Sequence, residues 1–295
     1  MTPREQGVLL RSSWLGDPDR RPLTAAQLRR LAQRIAAAER PTADRELESE
    51  DLVALGYSAA EARRILRLLG DTQVMEYYLR SGKNRGCLPL TRVSGGYPGA
   101  IREKLGLDAP GCLWVKGDLS ILDLPRLALV GSREICPENR RFAREAGRQA
   151  ALQGYALVSG NARGADKIAQ EACLAAGGKV ICVVADELQL CRGTENVLFV
   201  SEEGFDMPFS PQRALSRNRV IHALGGKTFV AQCGYQAGGT WDGSVKNLRF
   251  GWSAVYCFED GSPAQSLLQE MGANAVTMEE LSNISDLKNR NISLF

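Results

Sequence analysis

Between Leu127 and Asp166 the chain twice repeats one design: an unbroken apolar run that ends in glycine and a basic residue. Leu127-Ala128-Leu129-Val130 opens into Gly131-Ser132-Arg133. Tyr155-Ala156-Leu157-Val158 opens into Ser159-Gly160-Asn161-Ala162-Arg163-Gly164-Ala165-Asp166. A short run without polar alternation suits a strand covered on both faces, the usual state of a parallel sheet dressed with helices. The segment from Asn139 to Gln153 places Phe142, Ala146 and Ala150 at helical spacing, and Asp166 to Ala176 forms a second helix stopped by Gly177-Gly178. Lys179–Val184 is the third strand. Further strands are expected at Val197–Val200, Thr228–Gln232 and Ala254–Phe258, with helices at Ser216–Leu224, Gly243–Arg249 and Pro263–Met271. Such alternation predicts an α/β fold, a doubly wound and mostly parallel sheet with right-handed crossovers, over residues 126–280, followed by a tail at 281–295. Ligands on such a sheet bind at the carboxyl ends of the strands, where both turns lie.

Upstream, residues 1–80 read as a small all-helical domain. The first twenty or so are polar and predict only a loosely packed lead-in. Thr24 and Gln27 make a capping box for a helix with Leu28, Leu31 and Ile35 on one face and Arg29, Arg30 and Arg34 on the other, ending near Pro41. Residues 49–69 predict two short helices around Gly56, the second opened by a Ser58/Glu61 box. This outline fits a helix-hairpin-helix, whose glycine lets backbone amides approach a DNA phosphate. It fits equally a plain helical hairpin with Gly56 as its cap. Residues 81–125 are rich in glycine and proline and predict an extended connector lying against the following domain, with Cys112-Leu113-Trp114-Val115 as a short strand.

Several function classes are narrowed by composition. Eight cysteines occur with no C-x-x-C pair, which favours reduced packing residues over a metal or disulfide framework, and His222 is the one histidine, which disfavours a His-ligated metal or a Ser-His-Asp triad. No apolar stretch reaches the length of a membrane span, and Met1 to Asp19 lacks a signal-peptide core, so a cytoplasmic protein is expected. Net charge is only +3 over 295 residues, so any nucleic-acid affinity has to come from local arginine placement.

In the first turn, Gly131 permits close backbone approach, the Ser132 hydroxyl can bond a phosphate oxygen and Arg133 offers a bidentate fork. The sequence is not G-x-G-x-x-G, so no nicotinamide or flavin cofactor is expected. In the second turn, Ser159, Gly160, Arg163 and Gly164 repeat the pattern, and Asp166 either caps the following helix or clamps arginines. Arg217-Asn218-Arg219 opens a later helix where cations oppose the dipole, which points to an anionic partner. Gly239 and Thr240 belong to a glycine-rich turn before a helix carrying Lys246. Trp241 in that turn serves either the core or as a base-stacking platform.

The order of these motifs, with Arg217-Asn218-Arg219-Val220-Ile221-His222-Ala223-Leu224 and Gly238-Gly239-Thr240, resembles the DNA-processing protein A (DprA/Smf) family. Tyr97-Pro98 and Ala109-Pro110-Gly111-Cys112-Leu113-Trp114-Val115-Lys116-Gly117 are similar to that family's lead-in. The likeness runs from Tyr97 to Val276. It implies a Rossmann-like fold, a basic pocket for single-stranded DNA formed by the residues named above, a homodimer, and delivery of strands to a RecA-type recombinase. It implies no catalytic residue. The family usually has a histidine where Gln170 stands and a glutamate where Gln232 stands, and its Ser-Gly-Ser-Leu turn appears as Gly238-Gly239-Thr240-Trp241. A C-terminal winged helix found in many members is not expected after Phe295. These departures suggest a divergent, accessory or mobile-element member.

A competing reading comes from the wider superfamily of the LOG phosphoribohydrolases: a nucleotide sensor or a nucleotide hydrolase. Hydrolysis needs a carboxylate beside the glycine-rich turn; Gln232 cannot act as a base, and Asp242 is the nearby alternative.

Overall fold

The computed structural model describes residues 1–38 and 47–289. The chain divides into two compact units, one comprising Met1–Trp114 with Glu202–Met207, the other Val115–Ser201 with Pro208–Phe295. Pro41 and the last residues of the tail expected at 281–295 lie outside the described residues.

The first unit opens with α1 (Pro3–Ser12), where a loose lead-in was expected. The signal for this helix is local: Thr2 and Glu5 form a capping box with Pro3 at the first helical position, and Val8, Leu9 and Leu10 are buried. Then come α2 (Ala25–Ala37), α3 (Ser49–Ala54), α4 (Ala59–Gly70) and α5 (Thr72–Asn84). Leu23, Leu31, Leu52, Ala62, Ile65 and Leu68 form one apolar cluster. Ile35, expected on the buried face of α2, is exposed. Buried Arg20 donates to Leu10 O at 2.6 Å and Leu68 O at 3.1 Å and pairs with Asp71. In this way it satisfies carbonyls that the ends of α1 and α4 leave open.

The helix–Gly56–helix outline is present as α3 and α4, with Gly56 at φ +84°. Its amides are taken internally: Leu55 N donates to Asp51 O, Gly56 N to Val53 O, Tyr57 N to Leu52 O and Ser58 N to the Glu61 carboxylate. Arg34 stacks over the Tyr57 ring at 4.3 Å and covers Gly56. The turn therefore offers no amide donor to a phosphate, and the plain hairpin accounts for it.

The stretch 81–125 holds more regular structure than its glycines and prolines suggest: β1 (Leu88–Thr91), α6 (Gly99–Leu105) and β2 (Cys112–Lys116). Tyr78 on α5, Trp114 on β2 and Phe205 form a buried aromatic cluster with centroids 4.4–5.2 Å apart.

The second unit contains β3 (Arg126–Val130), α7 (Pro137–Leu152), β4 (Ala156–Ser159), α8 (Ala165–Ala175), β5 (Lys179–Val183), β6 (Val197–Ser201), α9 (Pro211–Ser216), α10 (Asn218–Leu224), β7 (Lys227–Val230), α11 (Gly238–Phe250), β8 (Ala254–Phe258), α12 (Pro263–Glu270) and β9 (Asn274–Val276). Its strands run in the order β6-β5-β4-β3-β7-β8-β9, all pairs parallel. This is the expected doubly wound α/β sheet. The chain winds from β3 outward to β6, then returns beside β3 as β7, so the switch point lies between β3 and β7. Right-handed crossovers put α7 and α8 on one face and α9, α10 and α11 on the other. Two expectations are corrected. The helix expected at Ser216–Leu224 is broken at Arg217 into α9 and α10, and the glycine-rich turn before the last long helix is in fact the first turn of α11.

Candidate functional site

At the carboxyl end of β3, Gly131 sits where a Cβ would strike the side chain of Ala165. Ser132 N donates to Gln232 O at 2.9 Å, and its hydroxyl donates to the same carbonyl at 3.3 Å. The Ser132 hydroxyl thus braces the turn onto the end of β7. Ala165 N donates to Ser132 O at 3.1 Å, and Gly164, at φ +90°, lies against the Ser132 and Arg133 carbonyls. Only glycine permits this contact, so the two turns fold as one body.

The second turn closes on Asp166. Its buried carboxylate accepts from Gly160 N at 2.9 Å and Ala162 N at 3.3 Å. Burial raises this carboxyl above the usual range, while Arg217, the two amides and Arg133 pull it down. Buried Gln170, standing where the resembled family has histidine, donates to the Ser159 hydroxyl, which is itself buried. Arg217 comes from the junction of α9 and α10 on the opposite face and packs over Gly160, where a Cβ would overlap its guanidinium. Arg217 is therefore an internal cation of the site.

Asn218 donates to Gly239 O at 3.1 Å, tying the start of α10 to the start of α11. Beneath them the buried His222 receives a hydrogen bond from Asn247 Nδ2 at 3.1 Å, with Thr228 and Ser253 completing the network. Burial, aided by Arg217, pushes the His222 pKa down to about 3. Gln232 accepts from Cys136 N at 2.8 Å, at the residue before α7, a structural use for a residue that cannot supply a base. Asp242 is paired with Lys246 at 2.8 Å.

Two clefts open on this edge. One, of about 560 Å³, is lined by Arg133, Glu134, Ile135, Arg140, Arg163, Gly164, Lys167 and Ile168. The other, of about 610 Å³, is lined by Phe199 and Phe209, by the cations Lys167 and Arg192 and by the carboxylates Asp186 and Glu187, with Asn161 among the rest. Lys167 lines both. Arg133 and Arg163 are exposed, with Arg163 lying 3.7 Å from Glu134. Arg140, Asn161, Lys167, Arg192, Phe199 and Phe209 also line these clefts and were not among the contacts expected from sequence, although Asn161 lies within the second motif and Lys167 directly after its aspartate. Arg219 and Thr240 are half-buried, and Lys246 lines neither cleft.

Of the eight cysteines, Cys87, Cys112, Cys173, Cys182 and Cys257 are buried and Cys136 is exposed. Among the described residues no cluster of three or more His, Cys, Asp or Glu could hold a metal, and no helix is long and apolar enough to cross a membrane.

A family model described as DNA recombination-mediator protein A matches residues 89–245. Protein Smf of Escherichia coli is 30% identical over 142 residues, 44% of this chain and 38% of that protein. The DNA processing protein DprA of Streptococcus pneumoniae is 32% identical over 141 residues, 44% of this chain and 50% of that protein. The chain thus matches half or less of the length of these curated relatives. The X-ray structure of the S. pneumoniae DprA superposes with a TM-score of 0.73 at 21% identity, covering 98% of this chain and 99% of that one. DNA processing protein A of Helicobacter pylori, whose structure describes a single-stranded DNA binding mode, gives 0.57 at 24% identity over 67% of this chain and 94% of that one. At these identities the two structures establish the fold.

Proposed function

Because the chain belongs to the DNA recombination-mediator protein A family, we propose that it binds single-stranded DNA without cutting it. The strand's phosphates lie along Arg133, Arg140, Arg163 and Lys167, and its bases turn toward Phe199 and Phe209. The observation that carries this reading is the junction at Lys167 of a cationic cleft and an aromatic one. Single-strand binders join a positive groove for the backbone to aromatic faces for the bases. Arg217, Asn218, Gly131, Ser132, Ser159, Gly160, Gly164 and Asp166 act by fixing the turns that carry the exposed cations. Arg219, Gly239, Thr240 and Lys246 flank the same edge as further contacts. The held strand would be protected and passed to a RecA-type recombinase by a homodimer in the cytoplasm.

The test is a salt titration of labelled single-stranded, duplex and mononucleotide ligands. The reading requires salt-dependent binding with single strands ahead of the other two. Tight binding of a mononucleotide, with none of the single strand, would replace it with a nucleotide sensor.

A further inference from the structure

Tyr235 and Trp241 form an aromatic pair outside both clefts. Tyr235 is 57% exposed at the tip of a tight turn closed by an antiparallel bridge between Gly234 and Ala237. Gln236, beside it, takes a left-handed φ of +49°, followed by Gly238 at +86°. A non-glycine residue in that region is held against its preference, a form of local strain that gathers at functional sites. Trp241, on the opening turns of α11, is half-buried, with its ring centroid 6.4 Å from that of Tyr235 and the planes inclined at 45°. The rings do not stack in parallel, which leaves a Tyr235 face open.

The position of this pair follows from hydrogen bonds already described. Gln232 O receives the Ser132 amide, so the loop leaving β7 begins on the Gly131–Arg133 turn, and Tyr235 comes three residues later. Three residues reach at most about 11 Å. On the other flank, Asn218 binds Gly239 O, and Leu215, 49% exposed, lies against Gly239. The order β6-β5-β4-β3-β7 therefore sets out Phe199 in the middle of β6, then, at the carboxyl edge, Asn161 and Lys167, then Arg133, then Tyr235. Four strand spacings, roughly 19 Å, separate the ends of this row.

We propose that Tyr235 and Trp241 form a second base-stacking subsite for single-stranded nucleic acid, beyond Arg133 on the β7 side. It takes an unpaired base of a strand whose phosphates occupy the cationic cleft, and it rests on the single-strand reading above. Continuity with that cleft identifies the occupant: a strand leaving Arg133 toward β7 presents bases to an exposed aromatic face, and stacking there is indifferent to sequence.

The experiment compares a fluorescent dT15 with an abasic 15-mer of equal phosphate count, on the full chain and on Tyr235→Ala and Tyr235→Phe. The expected result is a fall in dT15 affinity on the order of tenfold for Tyr235→Ala, within the range for one stacked base. Abasic binding and the salt slope should stay unchanged, and Tyr235→Phe should bind as the parent does. Quenching of tryptophan fluorescence by dT15 should be reduced in Trp241→Phe. Equal effects of Tyr235→Ala on both oligomers, or none on either, overturn the subsite alone. So does a change in sedimentation with no change in dT15 binding, which would make the patch a protein interface. If the parent binds neither oligomer, the single-strand reading falls first, and the subsite with it.

Discussion

Arg217 lies over Gly160 so closely that any Cβ on the glycine would overlap the guanidinium. The two come from distant parts of the chain: Gly160 directly follows β4, while Arg217 is the junction of α9 and α10 and faces Asp166 of α8. Glycine at position 160 is thus the space into which an arginine folds.

Replacing Gly160 with alanine would push Arg217 out of place. The obstructing atoms are the end of a side chain and φ at Gly160 is not left-handed, so the fold should survive with the thermal midpoint moved by only a few degrees. Affinity for single-stranded DNA should fall on the order of tenfold, equivalent to about 1.4 kcal/mol. Anisotropy and a thermal melt on one preparation check both halves; a variant that binds as the parent does would show that Arg217 can move freely.

Gly164→Ala meets a different obstacle. Here the obstruction is backbone, with the Arg133 carbonyl oxygen 2.5 Å from the added Cβ, and φ is +90°. The variant should lose roughly 3 kcal/mol of stability. A urea midpoint close to the parent's would count against the two turns being a single body.

Arg133, Arg163 and Lys167 stand exposed at the basic cleft and should act as separate phosphate contacts. Each alanine substitution should weaken single-strand binding whatever the sequence and reduce the slope of log K against log salt by roughly 0.7. Titrations from low to moderate salt measure that slope, and unchanged slopes for all three would remove them from the path of the strand.

As the chain's one histidine, buried His222 gives an assignable pH dependence. Its pKa is about 3 in the folded protein against an ordinary 6.5, so the unfolded chain binds the proton first. Neutral His222 therefore contributes stability that is complete above pH 6.5 and lost as pH falls toward 3, by roughly 1.4 kcal/mol per pH unit within that window. Denaturant midpoints at pH 7, 6 and 5 should drop more steeply for the parent than for His222→Asn. Parallel curves would refute the assignment.

The strands were legible because Leu127–Val130, Tyr155–Val158 and Lys179–Val184 are apolar throughout, as burial on both faces demands. Helix α1 was hidden by its brevity, its apolar residues being adjacent rather than spaced over several turns. The break at Arg217 was hidden too, since that residue keeps helical dihedrals. For the site, glycine and arginine spacing marked the two turns, but exposure could not be read from it: Arg217 looked like a surface cation and is an internal one. Phe199 and Phe209 carried no signal, because an aromatic at a cleft wall and one in a core look alike in sequence.

The bond from Ser132 to the Gln232 carbonyl spans a hundred residues. Everything recognisable about the first turn is written by residue 133, yet its anchor is not made until β7 has been synthesised. Completion of this turn is thus a late event in the life of the nascent chain. Ribosome-stalled chains with residues up to 225 exposed should fail to capture an oligonucleotide that chains exposed through 260 retain.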